Sequence, residues 1–201
     1  MSAARRREAI SAPLLFQDTA EAAAASWSAP LSPDAAARAA GQLHAAVRWL
    51  CAAVAILAAA DGYQVLDGCL RRLQSAWRCT SALHAPECGQ GTGPEHGDLL
   101  CAAARYMAAT LAQRKPGQGD RDADLAGLAA ITAALARAAL ALAGQQPGTR
   151  ASSRLSAASG CLQAASGLLS ATADGAGQPA AAQPGTSGAA QHQPPVRQTA
   201  P

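Results

Sequence analysis

The residues best suited to chemistry in this 201-residue chain are cysteines and histidines that lie close together in one region. They are Cys79, His84, Cys88, His96 and Cys101. Thiolates and imidazoles are the ligands that zinc prefers, but structural zinc sites usually draw them from close pairs such as C-x2-C or H-x3-H. The spacing here, C-x4-H-x3-C-x7-H-x4-C, contains no such pair. We therefore expect no tight zinc site, with a Cys/His metal-binding protein as an alternative interpretation.

Patterns typical of catalysis are weak or missing. Gly89, Gly91 and Gly93 form a G-x-G-x-G string, but no strand signal precedes it and Pro94 follows, whereas phosphate-binding glycine loops come after a strand. There is no G-x-S-x-G elbow and no H-E-x-x-H motif. A cysteine and a histidine of a nucleophilic site meet only in space, and nothing in the sequence selects one pair. The sequence predicts a protein that is not an enzyme and has no cofactor.

The composition favours closely packed helices. Hydrophobic residues make up 50% of the chain and aromatic residues only 3%, so alanine and leucine supply the apolar content. Alanine is the best helix former, and β-branched residues are scarce. The net charge is only +3, and the one dense basic cluster is Arg5-Arg6-Arg7. A nucleic-acid interface would show a basic stripe with aromatic or polar readers, so we expect no nucleic-acid binding.

Hydrophobic periodicity predicts helices separated by glycine- and proline-rich breaks. Ser32-Pro33-Asp34 is a strong helix start, with serine at the N-cap, proline at N1 and an acid in the first turn. The predicted helices cover residues 17–27, 33–60, 63–83, 98–114, 120–143 and 151–173. The first is short and the last is weaker, because serines and glycines interrupt it. The predicted fold is all-α, an up-and-down four- to five-helix bundle.

The most apolar stretch, RWLCAAVAILAAADGYQ, raises the question of a membrane span. Its bracketing charges, Arg48 and Asp61, leave twelve uncharged residues between them. A span needs about 20 apolar residues, and a run of about 10–14 is more often a buried helix. We therefore predict a core helix and no membrane span.

Three regions follow from these patterns. Residues 1–16 are expected to form a flexible arm, 17–173 the helical bundle and 174–201 a disordered, low-complexity tail. The start, MSAARRREAISAPLLF, lacks the apolar region of a signal peptide, so we expect reduced thiols and a cytoplasmic or nuclear location. An organelle-targeting peptide in 1–16 is the alternative.

In-phase apolar positions define the predicted core. They are Leu43, Val47, Leu50, Val54, Leu57, Leu66, Leu70, Leu73, Trp77, Met107, Leu111, Leu128, Leu135 and Leu142. Because the apolar faces are buried between the helices of the bundle, we expect the solvent-exposed surface to be polar and rich in arginine. Arg71, Arg72 and Arg78 are the candidate partner-docking residues, since arginine and tryptophan are enriched at interface hot spots. Trp77, beside them, is expected to pack in the core.

One segment resembles a known family. Residues 28–57, SAPLSPDAAARAAGQLHAAVRWLCAAVAIL, are similar to the N-terminal region of the cyclin-D1-binding protein 1 (GCIP) family, whose helix carries a Q-[LV]-H-A-A-[VI]-[KR] stretch. The matching residues are Pro30, Pro33, Gln42, Leu43, His44, Ala45, Ala46, Val47 and Arg48. The order of the following helices extends the resemblance over about residues 19–143. The family's V-K-D ending is absent, with Arg137-Ala138-Ala139 nearby, and most of its second helical domain is missing.

The resemblance implies an all-helical, vinculin-like bundle that binds other proteins and has no catalytic residues to transfer. It also implies partners of the cyclin or helix-loop-helix class, and hence an adaptor linked to the cell cycle or to transcription. A peripheral membrane or organelle-associated helical protein remains the main alternative, although the apolar faces carry few aromatics and the polar faces few lysines.

Overall fold

The computed structural model describes residues 12–61, 65–81, 83, 96–114 and 121–176. These residues contain six α-helices and no β-strand, so the predicted all-α class is confirmed and the count of four to five bundle helices is wrong. The helices are α1 (Ala12–Ser26), α2 (Pro33–Asp61), α3 (Val65–Ser81), α4 (His96–Ala112), α5 (Arg121–Gln145) and α6 (Arg150–Ala176). Residues 1–11 of the predicted arm and 177–201 of the predicted tail lie outside the described residues.

The extra bundle helix is α1, which begins at Ala12 and not near residue 17. Its buried positions recur every three or four residues and include Phe16, which is fully buried, Ala20 and Ala23. Trp27, directly after the helix, continues this pattern and is also buried. Sequence patterning missed this face because most of its residues are alanines, which occur on both sides of the helix. The helix therefore takes in residues 12–16 of the predicted arm.

The six helices form two layers of three. In one layer α2 lies between α4 and α3, and in the other α5 lies between α1 and α6. Each helix also packs against the one facing it, giving the pairs α1–α4, α2–α5 and α3–α6. The fold thus consists of two four-helix units that share the central pair α2 and α5.

Contacts at the helix ends give the directions. A Cβ at Gly127 would lie 2.9 Å from Pro13 Cβ, and at the other end the Gln145 amide donates to the Trp27 carbonyl at 2.8 Å. The neighbours α1 and α5 are therefore parallel. By contrast α2 and α3 are antiparallel, because His44 on the first half of α2 meets Thr80 at the end of α3.

Serines hold α6 against α5. Ser152, Ser159 and Ser166 donate hydrogen bonds of 2.8 Å to the carbonyl oxygens of Ala143, Ala136 and Ala129, respectively. The serines of α6 and the acceptor alanines of α5 both recur every seven residues. The residue numbers of the serines increase as those of the alanines decrease, so the two helices are antiparallel. The serines that interrupt the apolar pattern of α6 are thus interhelical contacts, and they lie beside the buried heptad Leu155, Leu162 and Leu169.

N-cap hydrogen bonds mark the starts of α2 and α6. The Ser32 hydroxyl accepts a hydrogen bond from the Ala35 amide at 3.2 Å, which is the N-cap interaction predicted for α2. Thr149 does the same for α6, accepting from the Ser152 amide at 3.1 Å. Gly148, in the turn before it, has a φ of 78°, a left-handed conformation that glycine adopts without strain.

Most of the predicted core is confirmed, including Leu50 and Leu73, which are fully buried. Leu57 and Leu70 are only partly buried, although both pack against the core. The placement of Trp77 in the core is wrong, because 38% of its surface is exposed. Large buried residues absent from the predicted set are Phe16, Trp27, Leu100, Leu125, Ile131, Leu155, Leu162 and Leu169.

The two central helices are also long and rich in apolar residues. By length and composition alone, residues 33–59 of α2 and Arg121–Gln145 of α5 could each cross a membrane. Helix α5 packs on three sides, and 61% of its apolar window is buried, so its place in the fold accounts for much of its composition. In α2 the buried share of the corresponding window is 39%. The expectation of no membrane span stays a prediction.

Candidate functional site

The predicted docking arginines do not form one cluster. Arg71, Arg72 and Arg78 are all exposed on α3. At about 100° per residue, Arg71 and Arg78 lie within about 20° of each other, whereas Arg72 lies about 100° away from Arg71. Arg72 follows Gly68 by one turn, on the side of α3 that faces Leu168 of α6. Arg71 and Arg78 therefore share an outward stripe, and Arg72 belongs to the α6 side.

Trp77 lies on the opposite flank of α3, where it meets His44 of α2. The indole Nε1–H donates a hydrogen bond of 3.2 Å to His44 Nε2. The two rings are nearly parallel, with 16° between their planes and 5.9 Å between their centroids. Trp77 is exposed because its polar edge has its partner at the rim of the α2–α3 interface, not in the core.

The hydrogen bonds of His44 define its tautomer. Since Nε2 accepts from Trp77, the ring proton must be on Nδ1, which then donates to Thr80 Oγ1 at 3.0 Å. The Thr80 hydroxyl in turn donates to the Trp77 carbonyl at 2.9 Å. This closed set of bonds fixes the indole ring relative to α2 and α3.

His44 is held in its neutral form. Burial lowers the pKa of its imidazole below the ordinary value of 6.5, and the nearby positive charge of Arg48 lowers this pKa further. A hydrogen bond with Trp77 opposes this shift but does not reverse it. An imidazolium would direct an N–H at the indole N–H. Both ring nitrogens are thus engaged in structural bonds, which gives His44 a positioning role.

Arg48 extends the basic surface onto α2. Its guanidinium lies 5.8 Å from the ring centroid of Trp49, within the range of a cation–π contact. Neither residues 35–60 of α2 nor residues 68–81 of α3 include an acidic residue. We call Arg48, Arg71, Trp77 and Arg78 the tryptophan–arginine surface. It combines an aromatic ring held by His44 with three arginines, of which Arg71 and Arg78 lie about 100–120° around α3 from Trp77.

A second polar contact ties α2 to α4. Gln42 is 7% exposed, and its Nε2 donates to Asp98 Oδ1 at 3.1 Å. A Cβ at Gly97 would lie 1.7 Å from Gln42 Oε1, so glycine is required there for this close approach. Gln42 and His44, both in the Q-L-H-A-A-V-R stretch, thus connect α2 to its two neighbours in the layer. Sequence reasoning singled out this stretch but gave these side chains no such roles.

The cysteine and histidine cluster is only partly described. His84, Cys88 and the side chain of His96 lie outside the described residues. Cys101 donates to the Gln42 carbonyl at 3.4 Å, while Cys79 lies near Arg154 and Cys161 on the α6 side of α3. No group of three or more His, Cys, Asp or Glu that could hold a metal ion occurs within the described part of the chain.

The five described cysteines are free thiols. Burial raises the pKa of Cys51 to about 11 and that of Cys69 to about 12. These two thiols lie on facing sides of α2 and α3 and are protonated at neutral pH. Since the thiolate is the nucleophile and metal ligand, neither is suited to nucleophilic or metal chemistry.

No protein-family model, curated protein sequence or solved structure matches this chain.

Proposed function

We propose that this protein is a non-catalytic helical bundle that binds other proteins through the tryptophan–arginine surface. The observation that supports this most directly is the exposed but immobilised indole of Trp77. Tryptophan and arginine are the residues most enriched at interface hot spots. An aromatic ring already fixed by His44 loses little conformational entropy when a partner covers it.

The charge of the surface favours an acidic partner. Arg48 is close enough to His44 to lower the pKa of its imidazole and so lies beside the indole, whereas Arg71 and Arg78 lie about 100–120° around α3 from Trp77. Asp67, four residues before Arg71, is the acidic residue of α3 nearest to them in sequence. Positive fields of this kind speed association with negatively charged partners and reject basic ones. We therefore expect an acidic helix or peptide with at least one large apolar side chain to cover Trp77.

The resemblance to the cyclin-D1-binding protein 1 family supports the same class of function. It suggests a vinculin-like bundle in the cytoplasm or nucleus, with cyclins or helix-loop-helix proteins as partners and an adaptor role linked to the cell cycle or transcription. Within the matching stretch, Gln42 contacts α4 and His44 contacts α3, so both residues have a structural role.

Affinity capture from the host cell tests the proposal. The full-length chain would be compared with the triple variant Arg48→Glu, Arg71→Glu, Arg78→Glu and with Trp77→Ala. The matched control, Arg105→Glu, Arg150→Glu, Arg154→Glu, reverses the same number of charges on α4 and α6. We expect the first two variants to remain helical and lose their partners while the control keeps them. Retention of every partner by the triple variant of this surface would refute it as the docking site.

Membrane association is a second candidate, because α2 and α5 are both long and apolar enough for a bilayer. On that alternative the bundle would open at a membrane and expose its central pair. Flotation with liposomes separates the two candidates, since a protein-binding bundle stays in the aqueous fraction. Co-flotation with loss of the α2–α5 contacts would favour the membrane candidate.

A further inference from the structure

One end of the four-helix unit formed by α2, α3, α5 and α6 contains an apolar cleft. Its volume is about 340 Å³, and it lies between the start of α2, the end of α5 and the start of α6. The apolar lining comes from Ala36, Ala40, Leu83, Leu142, Ala151 and Leu155. Gln146 adds an amide. Clefts of roughly 300 Å³ and more between bundle helices are common ligand sites.

The cleft forms because alanines, which have small side chains, occupy the starts of α2 and α6. Ala36 and Ala40 on α2, with Ala151 on α6, leave space that leucine would fill. Leu142 and Leu155 supply the floor and are buried, at 2% and 5% exposure. An apolar chain placed here would contact buried leucines on two helices.

Two arginines extend the cleft with positive charge. Arg150 and Arg154 line an adjoining hollow of about 180 Å³, which shares Leu83 and Ala151 with the larger cleft. The two side chains are four residues apart on the first turns of α6, so they project from the same face. Neither forms an ion pair within the described residues. On α2, Asp34 and Arg38 carry opposite charges and lie two residues before and two residues after Ala36.

We infer that this cleft binds a long-chain carboxylate, with the alkyl tail against Leu142 and Leu155 and the carboxylate between Arg150 and Arg154. Guanidinium groups bind carboxylates through paired, charge-assisted hydrogen bonds. The positive end of the α6 helix dipole adds to the attraction. The site is independent of the tryptophan–arginine surface and does not depend on the proposed function.

Fluorescence titration with cis-parinaric acid, a fatty acid whose emission rises in apolar surroundings, tests this site on the full chain. Dodecanoate and the neutral 1-dodecanol would then be used as competitors. We expect saturable binding at one equivalent, with dodecanoate displacing the probe better than the alcohol. Arg150→Gln with Arg154→Gln should weaken binding by about tenfold or more, since charged hydrogen bonds are lost. Arg71→Gln with Arg78→Gln removes equal charge elsewhere and should have no effect.

A filling variant tests the tail site separately. Ala151→Leu places a larger side chain in both hollows and should abolish binding, whereas Ala157→Leu, on an exposed position of α6, should not. Circular dichroism checks that each variant is folded, and if Ala151→Leu unfolds the arginine pair still decides the outcome. Absence of saturable binding, or unchanged binding by the Arg150/Arg154 variant or by folded Ala151→Leu, overturns the proposal.

Discussion

The hydroxyl of Ser159 on α6 donates a hydrogen bond of 2.8 Å to the carbonyl oxygen of Ala136 on α5, in the buried centre of their interface. Ser159 is 3% exposed, so water cannot replace this partner. The helices can approach this closely because small residues lie on both sides. A serine in mid-helix, usually unfavourable, is here a stabilising contact.

Substitution of Ser159 should therefore separate the hydrogen bond from the space it occupies. Ser159→Ala should destabilise the fold by about 0.5–1.5 kcal/mol, the net value of one hydrogen bond. Ser159→Leu should cost about 1–3 kcal/mol because it overfills the interface. Urea denaturation measures both. Ser156→Ala, at an exposed position of α6, is the control and should not lower stability. Equal stability of all four proteins would contradict this role.

Stability should depend on pH through His44. Its pKa is lower in the folded than in the unfolded state, so the unfolded state binds the proton more readily. The contribution of neutral His44 is complete above its ordinary value of 6.5 and falls as the pH drops below it. Urea midpoints at about pH 7.5 and about pH 5 should differ more for the native chain than for His44→Gln. Parallel loss of stability in both would exclude His44 as the source.

Two glycines in helices should respond in opposite ways to alanine. In Gly97→Ala the new Cβ would displace Gln42 and break its hydrogen bond to Asp98, so we expect a loss of about 1–3 kcal/mol. A Cβ added at Gly160 would meet no other group within 4 Å, so Gly160→Ala should stabilise α6 by about 0.5–1 kcal/mol. The thermal unfolding midpoints of the two variants, compared with that of the native chain, measure both changes. Adding Gln42→Ala to Gly97→Ala should cost less than the two single changes together, and strict additivity would contradict the clash.

Buried cysteines should react more slowly than exposed ones, because burial raises the pKa of the thiol. With pKa values of about 11 and about 12, Cys51 and Cys69 are thiolates to roughly one part in a thousand or less near pH 8. Alkylation by iodoacetamide, mapped by mass spectrometry, should reach them last. In denaturant they should react at the rate of the other cysteines. Rapid labelling of Cys69 in the folded protein would show that the α3–α6 interface opens.

The place of α1 in the bundle gives the largest expected change. Phe16→Ala should destabilise the fold by about 3–5 kcal/mol, because Phe16 is fully buried. Leu14→Ala, on the same helix but 54% exposed, should change stability by less than about 0.5 kcal/mol. Denaturant titration followed by circular dichroism measures both. If Phe16→Ala lowered the free energy of unfolding by less than about 1 kcal/mol, α1 would not be an integral part of the bundle.

The sequence predicted what depends on short-range patterns. Ser32 as an N-cap and the spacing of Leu43, Val47 and Leu50 are local features, and the structure confirms them. The start of α1 was misplaced because alanine makes the buried and exposed faces look alike. Trp77 was misplaced because its partner, His44, is remote in sequence.

The candidate site was only partly predictable for the same reason. The sequence identified Arg71, Arg72 and Arg78 as neighbours, but their directions around α3 separate Arg72 from the other two. Arg48 joins the surface only because α2 and α3 pack against each other. The roles of Gln42 and Ser159 are equally invisible, since each depends on a helix distant along the chain.

The sharing of α2 and α5 between two four-helix units has a consequence for the order in which the fold opens. Among the described helices, only α2–α3 and α5–α6 are neighbours both in sequence and in space. These hairpins close short loops, whereas α1 and α4 pack only on helices distant in sequence and lose more chain entropy in docking. The α1–α4 side should therefore detach first in native-state hydrogen exchange, while the α2–α3 and α5–α6 hairpins keep their protection.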